Sequence, residues 1–296
     1  MAEKAFKCGY VSIVGRPNVG KSTLLNRLVG ERLSIITPKA QTTRHRILGI
    51  LQGENHQIIF IDTPGIIEPK YALHEAMMNY VRTSVEDADL IVLLVEPEEE
   101  FDGAIADRLN RREVPLIVAI NKSDLLNPAQ TAEKIKYWQH HYPRAVQVMD
   151  ISAASGSNCH NLLLAILEHL PEHPPYFERD ELTDRSERFL AAELLREKIF
   201  LHLSQEVPYS TEVTITSFKE EDNLLRISAE IYVERPSQKG ILIGKNGSML
   251  KKLGSEARKD LEAFFGKKVF LETHVKVAEN WRREKARLKQ FGYLED

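Results

Sequence analysis

Near the start of the chain, residues 15–22 have the sequence GRPNVGKS, in which a lysine and a serine follow the second glycine. This G-x-x-x-x-G-K-S pattern is typical of a loop whose backbone N–H groups surround nucleotide phosphates. In such a loop the ammonium of Lys21 neutralises the β- and γ-phosphates, and the hydroxyl of Ser22 ligates Mg²⁺. The loop residues expected to contact a nucleotide are Gly15, Arg16, Pro17, Asn18, Val19, Gly20, Lys21, Ser22 and Thr23.

A second motif, IDTPG, follows an apolar run typical of a strand. Asp62 would then lie at the carboxyl end of that strand, beside the phosphates, where its carboxylate can hold a metal-bound water. Gly65 offers a backbone N–H to a γ-phosphate. Thr63 and Pro64 complete the motif and join the expected nucleotide-binding residues.

The polar segment 34–47 is the expected first mobile switch, because it lies between the first helix and the second strand. Thr43 is the expected second hydroxyl ligand of Mg²⁺, and its neighbour Thr42 is the alternative. Loss of the γ-phosphate would release this segment and residues 63–75. The expected catalytic residues are Lys21, Thr43, Asp62 and Gly65, with Ser22, Thr43 and a water on Asp62 around the metal.

A third motif, NKSD, follows another apolar run and is expected to select the base. The carboxylate of Asp124 can accept hydrogen bonds from N1–H and the exocyclic amine of guanine, whereas adenine lacks that amine. Asn121 can reach the base and hold neighbouring loops, and the Lys122 stem can lie on the ring. In the later motif SAASG, the N–H of Ala153 is expected to meet the guanine carbonyl. The expected base-site residues are Asn121, Lys122, Asp124, Ser152, Ala153 and Ala154.

Short apolar runs that alternate with amphipathic ones position these motifs over the first 170 residues. Such alternation predicts an α/β domain with a mixed, mostly parallel sheet covered by helices on both faces. The run at 45–52 is predicted to be an edge strand. The predicted strand sequences are GYVSIV, HRILGILQ, HQIIFI, DLIVLLV, PLIVAIN and AVQVMDIS.

The pattern changes after a proline-rich, charged stretch at 171–187, which is predicted to be a linker. A helix, a hairpin, two further helices and a strand are predicted next, in the order α-β-β-α-α-β. This indicates a smaller α+β domain at 188–280. The predicted limits are therefore 1–170 for the first domain and 281–296 for a basic C-terminal helix.

A second glycine-lysine loop, GKNG at 244–247, joins two helices of this smaller domain. It lacks the length of the first loop and the hydroxyl after the lysine. The loop resembles the GxxG loop of a KH domain, which clamps about four nucleotides of a single strand. The element order resembles the type II variety. The residues expected to bind RNA are Ile241, Ile243, Gly244, Lys245, Asn246, Gly247, Ser248, Lys251 and Lys252.

The charge is distributed unevenly along the 296 residues, whose formal net charge is −3. Residues 237–296 hold 14 Lys and Arg against 8 Asp and Glu, whereas the remainder holds 26 against 35. A basic end on an acidic body indicates a local footprint for a polyanion. Trp281 in the basic tail can pack against its own domain, and the tail can also touch an anionic membrane surface. The residues leave both alternatives open.

Other features favour a reducing cytosol. Cys8 and Cys159 are far apart and lack the spacing of a metal site. The apolar run at 90–95 is too short to cross a bilayer, which needs about 20 residues. The N-terminus runs directly into a strand-like stretch, so no signal peptide is expected.

The motifs PNVGKST, DTPG and NKSD resemble those of the Ras-like translation-factor GTPases. With QTTRH, the linker and one KH domain, their order resembles the Era family in the TrmE-Era-EngA-like branch, over nearly the whole chain. The resemblance implies binding of GTP or GDP with Mg²⁺, GTP hydrolysis, and binding near the 3′ end of 16S rRNA during assembly of the 30S subunit. It also implies a cytoplasmic monomer with peripheral attachment to the inner membrane.

One departure from Ras-like enzymes concerns the residue after the glycine of DTPG, where Ile66 replaces a water-positioning glutamine. An isoleucine cannot orient water, so slow intrinsic hydrolysis is expected. Similar GTPases with an apolar residue here often carry an asparagine at the position of Asn18 that helps to hold K⁺. The resemblance therefore implies stimulation of hydrolysis by K⁺.

Three other functions fit parts of the sequence. The first is another RNA-directed GTPase, such as a tRNA-modification or large-subunit assembly factor, although tRNA-modification GTPases carry a reactive C-terminal cysteine and this chain ends in GYLED. The second is a metabolic P-loop enzyme such as a kinase, but no pocket-like set of catalytic carboxylates follows residue 170. The third is an RNA-binding module with an inactive nucleotide fold, which the intact motifs disfavour.

Overall fold

A computed structural model describes residues 5–110 and 113–294, which form two compact units. The described residues of the first unit fall in Met1–Ser34, Thr43–Glu68 and Met77–Asp184, and those of the second in Ile35–Thr42, Pro69–Ala76 and Arg185–Asp296. The domains predicted from the sequence include residues 1–4, 111–112 and 295–296, which lie outside the described residues.

The described residues of the first unit form one six-stranded sheet in the order β2-β3-β1-β4-β5-β6. All neighbouring strands are parallel except β2 and β3, which pair antiparallel. This confirms the predicted α/β class and the predicted edge strand. The strands are β1 (Lys7–Val14), β2 (Ile47–Gln52), β3 (His56–Asp62), β4 (Leu90–Val95), β5 (Leu116–Ile120) and β6 (Gln147–Asp150). The helices are α1 (Lys21–Val29), α2 (Ala72–Glu86, of which 72–76 fall in the second unit), α3 (Gly103–Asn110), α4 (Pro128–His141) and α5 (Cys159–His169).

The central strands are buried along almost their whole length, because helices cover both faces of the sheet. Every residue of β4 and β5 is buried. The register pairs Ile13 with Asp62 on one side and with Val92 on the other. The carboxyl ends of parallel strands therefore meet at one edge of the sheet, and all three nucleotide motifs follow these ends.

The linker is hydrogen-bonded to the first unit along most of its length. The Gln57 side chain accepts hydrogen bonds from the N–H groups of Tyr176 (2.7 Å) and Phe177 (3.0 Å) and donates one to the Phe177 carbonyl (2.8 Å). The Leu182 carbonyl accepts the N–H of Ile50 on the edge strand. These bonds explain why residues up to Asp184 cluster with the first unit.

The second unit contains the predicted α-β-β-α-α-β order. Its sheet has the order β7-β8-β9, with β7 and β8 antiparallel and β8 and β9 parallel. The elements are α6 (Glu187–His202), β7 (Glu212–Glu221), β8 (Leu224–Val233), α7 (Pro236–Ile243), α8 (Ser248–Phe265), β9 (Lys268–Val277) and α9 (Lys285–Gln290). Apolar residues of α6 and α8 pack on one face of the sheet and form its core.

Helix α6 also holds the segment Ile35–Thr42 within the second unit. Arg196 is buried, and its guanidinium donates to both carboxylate oxygens of Glu193 at 2.7 and 2.6 Å and to the Thr42 carbonyl at 2.6 Å. Glu197 accepts the N–H of Ile36 at 3.1 Å. Such a buried ion pair is tolerated because each charge is hydrogen-bonded. Thr43, the next residue, belongs to the first unit.

The C-terminal segment packs against the second unit. Trp281 is fully buried, and its indole Nε1 donates to the Ser210 carbonyl at 2.8 Å. Leu288, Phe291 and Tyr293 are buried with it. The predicted basic helix is shorter than expected, because α9 covers only Lys285–Gln290. Among the helices of the described residues, none has both the length and the apolar character that crossing a membrane requires.

We predict that Trp281→Ala destabilises the second unit by about 3–5 kcal/mol, because it removes a large buried side chain and leaves a buried carbonyl without its donor. Chemical denaturation of the full chain followed by circular dichroism measures the change. Leu125→Ala is the control, because Leu125 is 71% exposed and should change stability by less than about 0.5 kcal/mol. A loss below about 1 kcal/mol in Trp281→Ala would contradict the packing of the tail.

Candidate nucleotide site and nucleic-acid interface

The first glycine-lysine loop lies between β1 and α1, as the motif requires. Gly20 has φ 101°, and a Cβ atom there would lie 2.3 Å from Nδ2 of Asn121. Only glycine therefore fits between this turn and the NKSD motif. The described first turn of α1 carries no acidic residue, so its free N–H groups and positive dipole end are suited to an anion.

Lys21 is buried, and its ammonium donates to the carbonyls of Gly15 (3.2 Å) and Arg16 (2.9 Å). Burial lowers the pKa of Lys21 to about 8, whereas the nearby Asp62 carboxylate acts in the opposite direction. A buried cation with so few partners is costly unless an anion comes close. The position suits a phosphate oxygen.

Ser22, Thr43 and Asp62 bring two hydroxyl groups and a carboxylate together. The Ser22 hydroxyl donates to Oδ2 of Asp62 at 2.7 Å and lies 2.8 Å from the Thr43 hydroxyl. Oδ1 of Asp62 is buried and lacks a hydrogen-bond partner among the described residues. Burial raises the pKa of Asp62, while Lys21 and the Ser22 hydroxyl lower it.

These oxygens fit Mg²⁺, a hard cation that prefers few protein ligands together with waters and substrate phosphates. The orphaned carboxylate oxygen is the observation that favours a cation here, since a buried carboxylate needs a compensating charge. Within the described residues, no cluster of three or more His, Cys, Asp or Glu side chains forms an alternative metal site.

The two threonines of the first switch differ in their contacts. Thr43 lies beside Ser22, whereas the Thr42 hydroxyl bonds to the Thr37 hydroxyl (2.6 Å) and the Lys39 carbonyl (2.7 Å). The geometry therefore favours Thr43 as the metal ligand. The start of the switch is fixed by Asn26, whose Oδ1 accepts the N–H groups of Leu33 and Ser34 and whose Nδ2 donates to the Ser34 carbonyl.

Asn121 connects the two loops that flank the expected base site. Its Nδ2 donates to the Val19 carbonyl at 2.7 Å, and its Oδ1 accepts the N–H of Ala153 at 2.8 Å. The sequence predicts that this N–H meets the guanine carbonyl, and that role of Ala153 stays a prediction. Asp124 is exposed in a 3₁₀ turn at Ser123–Leu125, directly after β5.

Acidic residues between 96 and 102, which no motif includes, form ion pairs with basic residues of the expected nucleotide site. Arg16 lies 3.4 Å from Glu99 and 3.1 Å from Asp102, and Lys122 lies 2.5 Å from Glu96. Burial raises the pKa of Glu99. No local sequence signal marks these pairs, because they join residues far apart in the chain.

Arg27 of α1 is another contact that the motifs did not reveal. Its Nε donates to the Ala153 carbonyl at 3.2 Å and its Nη2 to the Ala154 carbonyl at 2.5 Å. The side chain thereby holds the SAASG loop against the helix that follows the phosphate loop. These two hydrogen bonds link the expected phosphate and base subsites.

Ile66 follows Gly65 and packs in part against an apolar cluster that includes Val14, Leu93 and Ile105. Its N–H donates to the Gly15 carbonyl at 3.0 Å. The side chain therefore contacts apolar groups and offers no hydrogen bond to a water. This agrees with the expectation that Ile66 does not position the attacking water.

The GKNG loop joins α7 to α8 through one 3₁₀ turn at Lys245–Gly247. Gly244 has φ 72° and a Cβ atom there would lie 2.8 Å from Cβ of Met249, so the tight turn requires glycine. Asn246 has φ 53°, a conformation that asparagine tolerates. Lys245 and Asn246 are exposed, and the loop leads directly into the N-terminus of α8.

A groove of about 560 Å³ begins at Gly247 and continues between α8 and β9. The wall formed by α8 presents Leu250, Lys251, Gly254, Ser255 and Arg258. The wall formed by β9 presents Phe270, Leu271 and Thr273. Of these residues, Gly247 and Lys251 are among those that the sequence predicts to contact RNA.

Ile241 and Ile243, which the sequence predicts to contact RNA, are not among the residues that line this groove. Leu250 and Leu271 line it, whereas Ile241 is 53% exposed on α7 and Ile243 packs partly against the core. Successive helical residues point in directions about 100° apart, and Leu242 takes the core-facing position between them. Lys251 and Lys252 are exposed on α8 next to the loop. Lys245 in the loop and Ser248 at the start of α8 are exposed as well.

Two family models match the chain. One is described as a 50S ribosome-binding GTPase and matches residues 10–122, and the other is described as a KH domain and matches residues 206–282. They cover the nucleotide motifs and the GKNG loop respectively.

The chain is similar over its whole length to proteins named GTPase Era. It is 46% identical to that of Leuconostoc citreum (strain KM20) over 301 residues, with 100% of this chain and 99% of the relative covered. It is 47% identical to that of Geobacter sp. (strain M21), with 99% and 100% covered.

Two solved structures resemble the chain closely, each 42% identical with 98% of this chain and 100% of the other covered. One is an Era variant from Aquifex aeolicus bound to GDP and AlF₄⁻, with a TM-score of 0.95. The other is Era in complex with MgGDPNP and nucleotides 1506–1542 of 16S ribosomal RNA, with a TM-score of 0.94. This similarity spans both units and confirms the resemblance stated from the motifs: the chain belongs to the Era family of GTPases.

Proposed function

We propose that the protein binds and hydrolyses GTP in its first unit and grips RNA near the 3′ end of 16S rRNA in its second, during assembly of the 30S subunit. The observation that carries the enzymatic part is the cleft that unites Lys21, Ser22, Thr43 and Asp62 behind a glycine turn. A close structural relative binds a GTP analogue with Mg²⁺ and a 3′ fragment of 16S rRNA.

In this proposal the nucleotide is held by residues of three loops. The backbone of residues 15–23 surrounds the phosphates, and Lys21 neutralises the β- and γ-phosphates. Asp124 accepts the N1–H and amine of guanine, and Asn121 keeps the flanking loops in place. Thr63 ties its loop to β1 through a hydrogen bond to the Ile13 carbonyl at 2.9 Å.

Hydrolysis transfers the γ-phosphoryl group to water, breaking its bond to the β-phosphate and leaving GDP. Ser22 and Thr43 would hold Mg²⁺, with Asp62 acting through a water, and the ion would supply positive charge that neutralises the phosphates. Lys21 stabilises the charge that develops on the leaving phosphate, and the Gly65 N–H contacts the γ-phosphate. Ile66 leaves the attacking water without a side-chain partner.

The slow reaction expected from Ile66 motivates the K⁺ part of the proposal. Asn18 lies in the phosphate loop with φ 65°. An amide oxygen there suits a monovalent cation that adds positive charge where the transition state needs it.

The second unit is proposed to bind RNA as a KH domain over residues 188–280, after a linker at 171–187 that separates it from a GTPase domain at 1–170. The residues proposed to contact RNA are Ile241, Ile243, Gly244, Lys245, Asn246, Gly247, Ser248, Lys251 and Lys252. Exposed lysines around a glycine turn support it, because a strand of sugar-phosphates requires cations and accessible N–H groups.

The protein is further proposed to act as a cytoplasmic monomer that contacts the anionic inner membrane peripherally. The contact would use the cations of the tail at 281–296. Arg283 and Lys289 are exposed on this segment while Trp281 is buried, so packing of the tail and a surface contact are compatible.

We predict that Asp124→Asn shifts nucleotide preference from guanine towards xanthine, because an amide donates to the second xanthine carbonyl where the carboxylate accepted the guanine amine. Competition of GTP and XTP for a fluorescent nucleotide measures the shift. Glu133→Gln, the same acid-to-amide change at an exposed site on α4, should leave the preference unaltered. An unchanged preference for GTP in Asp124→Asn would refute the base-reading role.

We predict that Gly247→Asp lowers affinity for a 16S rRNA 3′ oligonucleotide at least about tenfold and leaves GTP affinity intact, since a carboxylate would face the phosphates. Gly266→Asp is the matched control. Gly266 also has a positive φ (66°, against 76° for Gly247), and a Cβ atom at either position meets nothing within 4 Å. Equal loss in both variants would point to backbone strain and count against the KH assignment.

We predict faster GTP turnover in K⁺ than in Na⁺ at equal ionic strength, and loss of that difference in Asn18→Ala with GTP affinity retained. Phosphate release at saturating GTP is the measurement. Asn280→Ala changes another asparagine with positive φ (53°), in the second unit, and should keep the difference. Equal rates of the unmodified protein in the two salts would remove the K⁺ part of the proposal.

A further inference from the structure

Arg27 is a cation of the first unit that lies outside the nucleotide motifs predicted from the sequence. It is exposed in the last turn of α1, the helix that begins at the phosphate loop. Leu24 and Leu25, which are fully buried, anchor this helix in the core. A cation near a helix C-terminus is favourable by itself, because it faces the negative end of the helix dipole. The contacts of Arg27 go beyond that role.

The guanidinium of Arg27 binds two successive carbonyls of the SAASG loop. Its Nε donates to the Ala153 carbonyl at 3.2 Å and its Nη2 to the Ala154 carbonyl at 2.5 Å. Gly156 adjoins the same group, since a Cβ atom there would lie 3.6 Å from Nη1. The planar fork of an arginine matches two neighbouring acceptors, whereas a lysine offers a single point charge. One side chain on α1 therefore fixes both peptide units around Ala154.

The SAASG loop has one N–H group that no described residue accepts. The N–H groups of Ser152 and Gly156 donate to backbone carbonyls, and that of Ser155 donates to the Ser152 hydroxyl at 3.2 Å. The N–H of Ala153 donates to a side chain of the NKSD motif. The remaining N–H, that of Ala154, has no acceptor among the described residues. Ala154 is exposed, so a ligand can reach this donor.

The direction of the Ala154 N–H follows from the bond to Arg27. The carbonyl of Ala153 and the N–H of Ala154 belong to one peptide unit, which is planar and trans, so they point in opposite directions. Because Arg27 holds the carbonyl, the N–H points away from the guanidinium. The preceding N–H, that of Ala153, donates to Asn121 at 2.8 Å. The Ala154 donor therefore lies beside the loop that is proposed to read the base.

We propose that Arg27 is a positioning residue for guanine recognition, which holds the N–H of Ala154 where it donates to the 6-oxygen of the base. This rests on the proposed GTPase function and adds a specificity-determining residue outside the motifs. Adenine carries an amine in place of this oxygen and would leave the donor unpaired. The ligand is the guanine ring of GTP or GDP, which Arg27 itself does not touch.

Comparison of GDP with 6-thio-GDP isolates the contact at the 6-position. The analogue keeps the N1–H and the amine that Asp124 is proposed to accept, and it replaces only the 6-oxygen by sulfur, a weak hydrogen-bond acceptor. The unmodified protein should bind GDP about 3- to 10-fold more tightly than the analogue, as expected for one hydrogen bond. In Arg27→Ala this ratio should fall towards unity through loss of GDP affinity. Competition against a fluorescent guanine nucleotide measures both affinities.

Arg144→Ala is the matched control, because Arg144 is also exposed on the first unit, in the segment before β6, and should leave the ratio unchanged. Thermal denaturation shows whether Arg27→Ala is folded. A merely structural role of Arg27 would weaken the binding of both nucleotides by the same factor and leave their ratio intact. That result, or a ratio of unity in the unmodified protein, would overturn the proposal.

Backbone amide resonances identify the donor itself. In protein labelled with ¹⁵N-alanine, Ala153→Gly and Ala154→Gly assign the two amide signals, since glycine keeps the N–H but not the label. GDP should move the Ala154 signal downfield, and both 6-thio-GDP and the Arg27→Ala change should reduce that movement. A response to the 6-oxygen at Ala153 alone would overturn the assignment of the donor.

The outcomes separate the role of Arg27 from the function on which it rests. If the unmodified protein binds neither GDP nor GTP, the proposed GTPase function fails. If it binds GDP and Asp124→Asn shifts its preference towards xanthine, while Arg27→Ala keeps the ratio of the unmodified protein, only the role of Arg27 is overturned.

Discussion

Burial of Lys21 and Asp62 in one cleft is the constraint on which the first unit depends. Each charged group is removed from water. Burial lowers the pKa of Lys21 and raises that of Asp62, so it favours the neutral form of both. Carbonyl groups of the phosphate loop and the Ser22 hydroxyl compensate only in part, and one oxygen of Asp62 has no hydrogen-bond partner among the described residues. A fold retains such groups where a ligand completes their partners, and a nucleotide phosphate with a divalent cation does so for both.

The second glycine-lysine loop keeps its charged groups in solvent instead of burying them. Lys245 is exposed, and the cations near it lie along an open groove instead of a closed cleft. Exposed cations on flexible stems suit a long, hydrated polyanion whose charge they neutralise without burial. The two loops share residue types but differ in length, in the elements that flank them and in how deeply their lysine side chains are buried. These differences separate a site for one nucleotide from a surface for a strand.

The sequence was sufficient where function depends on local patterns and on the ends of parallel strands. Ser22 and Asp62 meet because their loops follow the neighbouring strands β1 and β3, and sheet topology alone places these ends together. The sequence could not predict contacts between residues that are distant in the chain and follow no periodic pattern. Arg27 with the SAASG loop, and Arg16 with Glu99 and Asp102, depend on side-chain reach that no spacing encodes. Likewise, composition marked residues 171–187 as a linker, but could not show that Gln57 binds its backbone.

A division of roles between the two glycine-lysine loops requires that GDP and RNA bind to different parts of one chain. Calorimetric titration of the full protein with GDP and, separately, with a 16S rRNA 3′ oligonucleotide tests this most directly when repeated on Lys21→Ala. We expect the unmodified protein to release heat with both ligands, and Lys21→Ala to lose the GDP signal while retaining the RNA signal. Loss of both signals in a folded Lys21→Ala protein, or no heat with GDP in the unmodified protein, would contradict the division between the two loops.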